Sequence, residues 1–120
     1  MKVLLDTNFL IDSVRFRINL EDIIDLIGAH DLVTLSAVER ELIKLSRTSK
    51  TSMHARAAIK MIKDRNMKIL KSEMRPDEAM VMFADDETIV ATNDIKLRKR
   101  LKALGRKTIY LKSKKHLAIG

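Results

Sequence analysis

Short apolar runs alternate with amphipathic stretches along the whole chain. In the amphipathic stretches apolar residues recur every three or four positions, the period of a helix with one buried face, whereas short continuous apolar runs are typical of buried strands. The runs predict five strands, at residues 2–5, 31–35, 67–70, 88–91 and 108–111. The amphipathic stretches predict helices between them, at 9–14, 20–27, 36–46, around 57–62, from Pro76 onward and at 95–104.

This alternation predicts an α/β fold, a three-layer α/β/α sandwich with a central parallel five-stranded sheet. Neither a linker nor an internal repeat interrupts it, so we expect residues 1–120 to form a single domain. The polar segment at 47–52 is predicted to be a loop. No apolar run reaches the roughly 18 residues of a membrane span, and the first residues do not resemble a secretion signal. We therefore expect a cytoplasmic protein with no membrane partner.

The charge balance indicates the kind of partner. Lys and Arg together number 24 against 16 for Asp and Glu, and the resulting net charge of +8 favours a polyanion such as RNA. No acidic residue follows Asp94, whereas basic residues continue almost to the last position. A basic helix face that is merely solvated is the alternative interpretation. The residues predicted to contact RNA phosphates are Arg98, Lys99, Arg100, Lys102 and Lys107.

Acidic residues follow four of the predicted strands, where ligands of parallel sheets bind. They are Asp6 after the first strand, Glu39 and Glu41 after the second, Asp77 and Glu78 after the third, and Asp94 after the fourth. Carboxylates gathered at one edge repel each other unless a cation neutralises them. Cysteine is absent, so the ligands must be oxygen or histidine, and Mg²⁺ or Mn²⁺ fits best. Such an ion on a basic protein indicates phosphodiester hydrolysis.

Most of these acidic residues also have a structural explanation. Ser36 and Glu39 match a capping box, which accounts for Glu39 and makes Glu41 the better catalytic candidate. Acidic residues in the first turns of the two later helices are favoured by the helix dipole. Asp6 is harder to explain in this way, because a carboxylate directly after a buried strand is desolvated at a cost unless something pairs with it.

Four motifs, in their order along the chain, resemble those of the PIN domain, a family of metal-dependent ribonucleases that includes VapC-type toxins and ribosomal-RNA-processing nucleases. They are LLDTNFLI, SAVERELIKL, PDEAMVMF and IVATNDIKLRKRL. The resemblance spans nearly the whole chain, and its most specific part is the pair DTNFL and ATND. It implies a parallel α/β/α sandwich, Mg²⁺ or Mn²⁺ in an acidic pocket, and endonucleolytic cleavage of RNA.

The resemblance also implies roles for individual residues. Asp6 matches the first metal-binding aspartate of the family, and Asn8 matches the neighbour that orients it by hydrogen bonding. Asp94 matches the later aspartate, with Thr92 and Asn93 as polar supports. These five residues come from the first and last motifs, which the resemblance therefore predicts to meet.

The two middle motifs supply the other candidates. Glu41 matches the family glutamate, and where this branch of the family has two adjacent aspartates the chain has Asp77 and Glu78. Both of these are candidate catalytic residues, and which one faces the metal stays open. The catalytic set is therefore Asp6, Glu41, Asp77, Glu78 and Asp94, and the predicted metal ligands are Asp6, Glu41, Glu78 and Asp94.

Two other functions fit parts of the sequence. A receiver-like phosphoacceptor domain is also a five-stranded fold with an acidic Mg²⁺ pocket, and Lys112 follows the last strand here, but the stretch KILKSEM offers no acceptor aspartate after the third strand. A non-catalytic RNA-binding module, with purely structural carboxylates, is the second alternative. RNA is the expected partner, and an antitoxin protein, a ribosomal particle or a second copy of the chain are further candidate partners.

Overall fold

The computed structural model of the chain describes residues 1–48 and 50–120. Six strands form one sheet in the order β3-β2-β1-β4-β5-β6. Strands β1 to β5 are parallel, and β6 is antiparallel to β5. The strands are β1 (Lys2–Leu5), β2 (Asp31–Leu35), β3 (Lys68–Leu70), β4 (Thr88–Ala91), β5 (Thr108–Lys112) and β6 (His116–Ile119).

Helices flank this sheet, so the predicted α/β class and its central parallel sheet are confirmed. Helices α1, α3 and α4 pack against one another, and α5 packs against α6. No helix of the described residues is long and apolar enough to cross a membrane. The helices are α1 (Thr7–Arg15), a 3-10 helix (Leu20–Ile23) that continues into α2 (Ile24–Ile27), α3 (Ser36–Thr48), α4 (Ser52–Asp64), α5 (Pro76–Phe83) and α6 (Ile95–Ala103).

Strand β1 lies at the centre of the sheet and of the core. Its residues Val3, Leu4 and Leu5 are fully buried, as expected for a strand whose two faces are both covered by helices. The register pairs Leu5 with Thr34 of β2 on one side and with Ala91 of β4 on the other. The strands β1, β2 and β4 therefore end together, and we call this end the carboxyl edge of the sheet.

The sixth strand is absent from the sequence prediction, which has five. It forms a hairpin with β5, and the tip contains Ser113 and Lys114, both at positive φ (54° and 58°). Hairpin turns of this geometry are usually recognised by Asn or Gly, which adopt positive φ with little strain. Because neither residue occurs at this tip, the turn signal is missing, and β6 itself is short and half exposed.

The predicted polar loop at 47–52 is shorter than expected. Helix α3 continues to Thr48, and α4 begins at Ser52. The middle of the predicted loop includes Ser49, which lies outside the described residues. At this end of α3 the Thr48 hydroxyl donates to the Lys44 carbonyl of the preceding turn at 3.0 Å.

Candidate active site

Asp6 follows β1 and caps the start of α1, and its carboxylate is held by three donors. The Thr7 main-chain N–H donates to Oδ1 at 2.8 Å. The Asn8 side-chain amide donates to Oδ2 at 3.2 Å, and the Thr92 hydroxyl donates to the same oxygen at 2.7 Å. Asp6 is only 8% exposed. Asn8 of the first motif and Thr92 of the last are thus in direct contact with Asp6.

Asn93 connects the end of β4 to two other elements. Its main-chain N–H donates to Asn8 Oδ1 at 2.9 Å, and its side-chain amide donates to Asp12 Oδ2 at 2.9 Å. Its Oδ1 accepts from the Leu111 N–H of β5 at 2.8 Å. Asp12 is not among the residues predicted from the sequence, although its spacing of four from Asn8 places both on the same face of α1.

A cavity of about 370 Å³ lies at the carboxyl edge beside these residues. Its acidic lining residues come from four segments: the turn after β1, helix α3, helix α5 and the turn after β4. Arg75 contributes a cation, with its Nε 3.9 Å from an Asp77 carboxylate oxygen. The acidic residues are Asp6, Glu41, Asp77 and Asp94, and Thr7 and Asn8 also line the cavity.

The surroundings disfavour charge on two of these carboxylates. Burial raises the pKa of Asp6, and the charge of Asp94 adds to the rise, while the hydrogen bonds from Thr92, Thr7 and Asn8 oppose it. Glu41 is exposed as a residue, yet partial desolvation of its carboxylate raises its pKa, and the charge of Asp6 contributes. A bound cation stabilises the charged form of such carboxylates, because it neutralises gathered negative charge.

The cavity residues fit a hard divalent cation. Thr7 is buried, and among the described residues its Oγ1 has no hydrogen-bond partner of normal geometry, although it lies near enough to Glu41 to stabilise that carboxylate. The available donors are carboxylate and hydroxyl oxygens, which Mg²⁺ and Mn²⁺ prefer. Within the part of the chain that is described, no three acidic or histidine groups already surround one point.

The structure separates the adjacent pair Asp77 and Glu78. Asp77 lines the cavity, whereas Glu78 does not. Glu78 instead accepts two hydrogen bonds from the Arg100 guanidinium, at 2.8 and 2.9 Å, which joins α5 to α6 and lowers the Glu78 pKa. Successive helical residues point in directions about 100° apart, and here Asp77 points to the cavity whereas Glu78 points to α6. Of our predicted metal ligands, Glu78 is the one that the structure does not bring to the others.

The two glutamates of α3 are also separated. Glu41 lines the cavity, and Glu39 does not. Ser36, which we predicted to form a capping box with Glu39, has another contact. Its hydroxyl accepts a hydrogen bond from the Ser72 N–H at 3.1 Å and donates to the Ser72 carbonyl at 3.4 Å. Ser36 thus joins the start of α3 to the segment after β3.

Asp94 caps a helix and also lies at the cavity. Its Oδ1 caps α6 by accepting from the Lys96 N–H at 2.9 Å and the Leu97 N–H at 3.4 Å. The same residue lines the acidic cavity. Its own N–H donates to the Thr92 hydroxyl at 3.2 Å, so Thr92 links the two aspartates. Capping therefore orients Asp94 without removing it from the candidate site.

The residues predicted to contact RNA do not form one surface. Arg98 stacks on Tyr110, with its guanidinium carbon 3.4 Å from the ring centroid, and Arg100 is paired with Glu78. Lys107 precedes β5, at the opposite end of the sheet from the acidic cavity. A separate cavity of about 250 Å³ between α6 and β5 is lined by Ile95, Arg98, Lys99, Lys102, Tyr110 and Gly120.

Comparisons with known proteins agree with this arrangement. A family model described as a PIN like domain matches residues 3–114. Ribonuclease VapC4 of Methanocaldococcus jannaschii is 30% identical over an alignment of 125 residues. The alignment covers 98% of this chain and 95% of that protein. The structure of the PIN domain endonuclease Utp24 superposes with a TM-score of 0.81 at 24% identity, covering 98% of this chain and 90% of that chain.

A second solved structure is more distant. VapBC-1 from nontypeable Haemophilus influenzae superposes with a TM-score of 0.54 at 19% identity, and the match covers 86% of this chain and 94% of that chain. At these levels of identity, the two structural matches indicate that the fold is shared. The residues matched by the family model include all four sequence motifs.

Proposed function

This chain belongs to the PIN-like domain family, and on that premise we propose that it is a metal-dependent endoribonuclease that hydrolyses RNA phosphodiester bonds. The observation that carries the proposal is the convergence of Asp6, Glu41, Asp77 and Asp94 on one cavity at the carboxyl edge. The reaction class is supported by two relatives, one named as a ribonuclease and the other as an endonuclease.

A divalent ion, Mg²⁺ or Mn²⁺, would be held by the four cavity carboxylates. Asp77 would be a ligand instead of Glu78, the ligand predicted from the sequence. When bound, the ion would supply charge to polarise a phosphoryl oxygen and to lower the pKa of a water molecule. The raised pKa values of Asp6 and Glu41 support this assignment. The Thr7 hydroxyl, which has no hydrogen-bond partner of normal geometry among the described residues, supports it as well.

The protein residues themselves have distinct proposed roles. Asp6 is fixed in one orientation by Thr92 and Asn8, so its carboxylate is preorganised. Arg75 reaches the cavity with its side chain 83% exposed, and its guanidinium can bind the non-bridging oxygens of a phosphate. Glu41 has a raised pKa, which makes its carboxylate a better acceptor for the proton of an attacking water.

Cleavage of a mixed-sequence single-stranded RNA with Mn²⁺ tests the proposal. We expect cleavage by the unmodified chain, and its loss both with a chelator and in the Asp6→Asn variant. The matched control is Glu39→Gln, which changes an acidic residue of the same region outside the cavity and is expected to retain activity. Cleavage that survives both the chelator and Asp6→Asn would contradict the proposed site.

The same assay distinguishes the alternatives. A non-catalytic RNA-binding module would bind the RNA without cutting it, and a receiver-like domain would do neither. We also propose a cytoplasmic location and a second macromolecular partner, either an antitoxin protein or a ribosomal particle. Affinity purification of the tagged chain from its own cells, followed by mass spectrometry, would separate these two partners, and light scattering would detect a homodimer.

A further inference from the structure

The β5–β6 hairpin projects past the carboxyl edge of the sheet. Ile109 of β5 pairs with Ala91, the last residue of β4, and β5 then continues to Lys112. Since a strand advances by about 3.3 Å per residue, the tip stands roughly 10 Å beyond the end of β4. The tip is strongly basic, because Lys112, Lys114 and Lys115 lie within it. The hairpin thus carries cations to the edge where the acidic cavity lies.

The end of α1 reaches the same place. The contact between Asp12 and Asn93 directs α1 across the carboxyl edge toward β5. The ring of Phe16, just after α1, then lies between two cations: the Arg15 guanidinium carbon is 5.3 Å and the Lys114 Nζ is 5.6 Å from its centroid. We call this surface the basic rim, and its residues are Arg15, Phe16, Arg17, Lys112, Lys114 and Lys115.

Backbone strain is concentrated at the basic rim. Four non-glycine residues of the described chain have positive φ, and three of them, Arg17, Ser113 and Lys114, belong to the two segments that form the rim. Side chains other than Asn, Asp and Gly adopt this conformation rarely. Strained residues of this kind tend to occur at functional positions. Two of these residues, Arg17 and Lys114, are cationic.

The cations of the rim are also available for a ligand. No ion pair within the described residues includes Arg15, Lys112 or Lys114, in contrast to Arg100 of α6, which is neutralised by Glu78. Acidic residues do occur nearby on one side, where Asp22 and Asp25 share a cavity with Arg17 and Lys115. Lys112 and Lys114 do not line that cavity, so they are the clearest probes of the rim.

We propose that the basic rim binds the phosphates of the RNA strand whose scissile bond enters the acidic cavity. The identity of this polyanion rests on the proposed function, whereas the convergence of cations does not. Hydrogen bonds through Asn8 and Asn93 connect the two surfaces, since Asn8 contacts Asp6 and Asn93 contacts both Asp12 and Leu111. The strand would therefore be held at a fixed position relative to the carboxylates.

Salt-dependent binding measures the contribution of the rim. Fluorescence anisotropy with a labelled single-stranded RNA, in EDTA to prevent cleavage, gives the dissociation constant of the full chain at several KCl concentrations. The rim variant is Lys112→Gln/Lys114→Gln, and the control is Lys63→Gln/Lys68→Gln. The control removes the same charge from exposed positions near the other end of the strands.

The rim variant should bind more weakly, and the slope of log K against log salt should fall by up to about 1.4, since each phosphate contact on a single strand contributes about 0.7. The affinity of the control variant and its salt slope should both fall much less. An equal effect of the two variants, an unchanged slope in the rim variant, or no RNA binding by the unmodified chain would each overturn the proposal.

A parallel cleavage assay with Mn²⁺ keeps this proposal distinct from the proposed function. Rim-dependent binding without any cleavage would support the rim and contradict the nuclease. Cleavage by the unmodified chain together with rim-independent binding would support the nuclease and overturn the rim. Circular dichroism of both variants verifies that the substitutions leave the fold intact.

Discussion

The Thr92 hydroxyl donates a 2.7 Å hydrogen bond to Asp6 Oδ2, which joins the residue after β4 to the residue after β1. Thr92 is fully buried and Asp6 nearly so, although the two residues are 86 positions apart in the sequence. A hydrogen bond to an ionised carboxylate in such surroundings is stronger than one between neutral groups. The orientation of the Asp6 carboxylate is therefore set by the residue that directly follows the neighbouring strand β4.

Thr92→Val removes this hydrogen bond with little change in volume. We expect a loss of unfolding free energy of about 1–3 kcal/mol, because a buried carboxylate oxygen loses the nearer of its two donors, together with a marked loss of RNA cleavage. Thr34→Val is the matched control, since the equally buried Thr34 hydroxyl donates to the Leu5 carbonyl at 2.8 Å. It should lose stability but keep cleavage activity. Equal cleavage by the two variants would contradict the role of Thr92, and chemical denaturation measures both stabilities.

Asp6→Asn should remove most of the response to metal. In the unmodified chain, Mn²⁺ is expected to raise the melting temperature, because an ion that binds only the folded form stabilises it by mass action. The variant lacks one negative ligand, so its melting temperature should change much less on addition of Mn²⁺. Differential scanning fluorimetry with and without EDTA measures the shifts. A shift of the same size in both proteins would argue against Asp6 as a ligand.

The metal-free stability of the same pair should depend on pH in a defined direction. Burial raises the folded-state pKa of Asp6 above its unfolded value. Between these two pKa values the folded form binds more protons, so the stability of the unmodified chain falls, relative to Asp6→Asn, as the pH rises through this window, and the difference is constant above it. Denaturation curves recorded in EDTA from acid to neutral pH measure this difference in stability between the two proteins. A stability difference that changes in the opposite direction would show that hydrogen bonding, and not desolvation, dominates at Asp6.

Asp77→Asn and Glu78→Gln test the assignment of the third motif. Because Asp77 lines the cavity and Glu78 is paired with Arg100, we expect the first variant to lower cleavage at least about tenfold, equivalent to ~1.4 kcal/mol of transition-state stabilisation. The second should change cleavage little and should mainly loosen the contact between α5 and α6. Initial cleavage rates at saturating Mn²⁺ compare them. The reverse order of effects would assign the site to Glu78.

Glu41→Gln and Glu39→Gln form a second pair on α3. Glu41 lines the cavity and has a raised pKa, whereas Glu39 lies outside it. We expect Glu41→Gln to lower cleavage at least about tenfold and Glu39→Gln to have less effect than this. A pH profile of the cleavage rate adds a second readout, because loss of a proton-accepting carboxylate changes the acidic limb of the profile. Comparable rates in the two variants would remove Glu41 from the proposed mechanism.

Local patterns were sufficient to predict the class of the fold and the segments that meet at the cavity. Buried strands leave continuous apolar runs, and the residue that follows each run lies at the carboxyl edge whatever the details of packing. The direction of Asp77 and Glu78 depends instead on how α5 rotates against α6, and adjacent helical residues give no local signal of that. The hairpin was missed because its tip uses Ser113 and Lys114 where Gly or Asn is usual.

The basic residues illustrate a second limit of the sequence. Charge counts identified α6 as a basic helix, yet Arg100 is neutralised by Glu78 from a different element, and Arg98 is stacked on Tyr110. Tertiary contacts decide which cationic side chains are paired, so a count of charged residues along the sequence cannot identify them. The convergence of Phe16 and Lys114 is of the same kind, because these residues come from separate segments.

The central position of β1 also has a consequence for synthesis. It precedes the other strands of this sheet along the chain, but one of its two neighbours in the sheet is β4, which ends at Ala91. One side of β1 therefore stays unpaired until most of the chain has left the ribosome, and Asp6 has no contact with Thr92 before that time. The acidic cavity is therefore complete only after Thr92 and Asp94, which follow β4, have been synthesised.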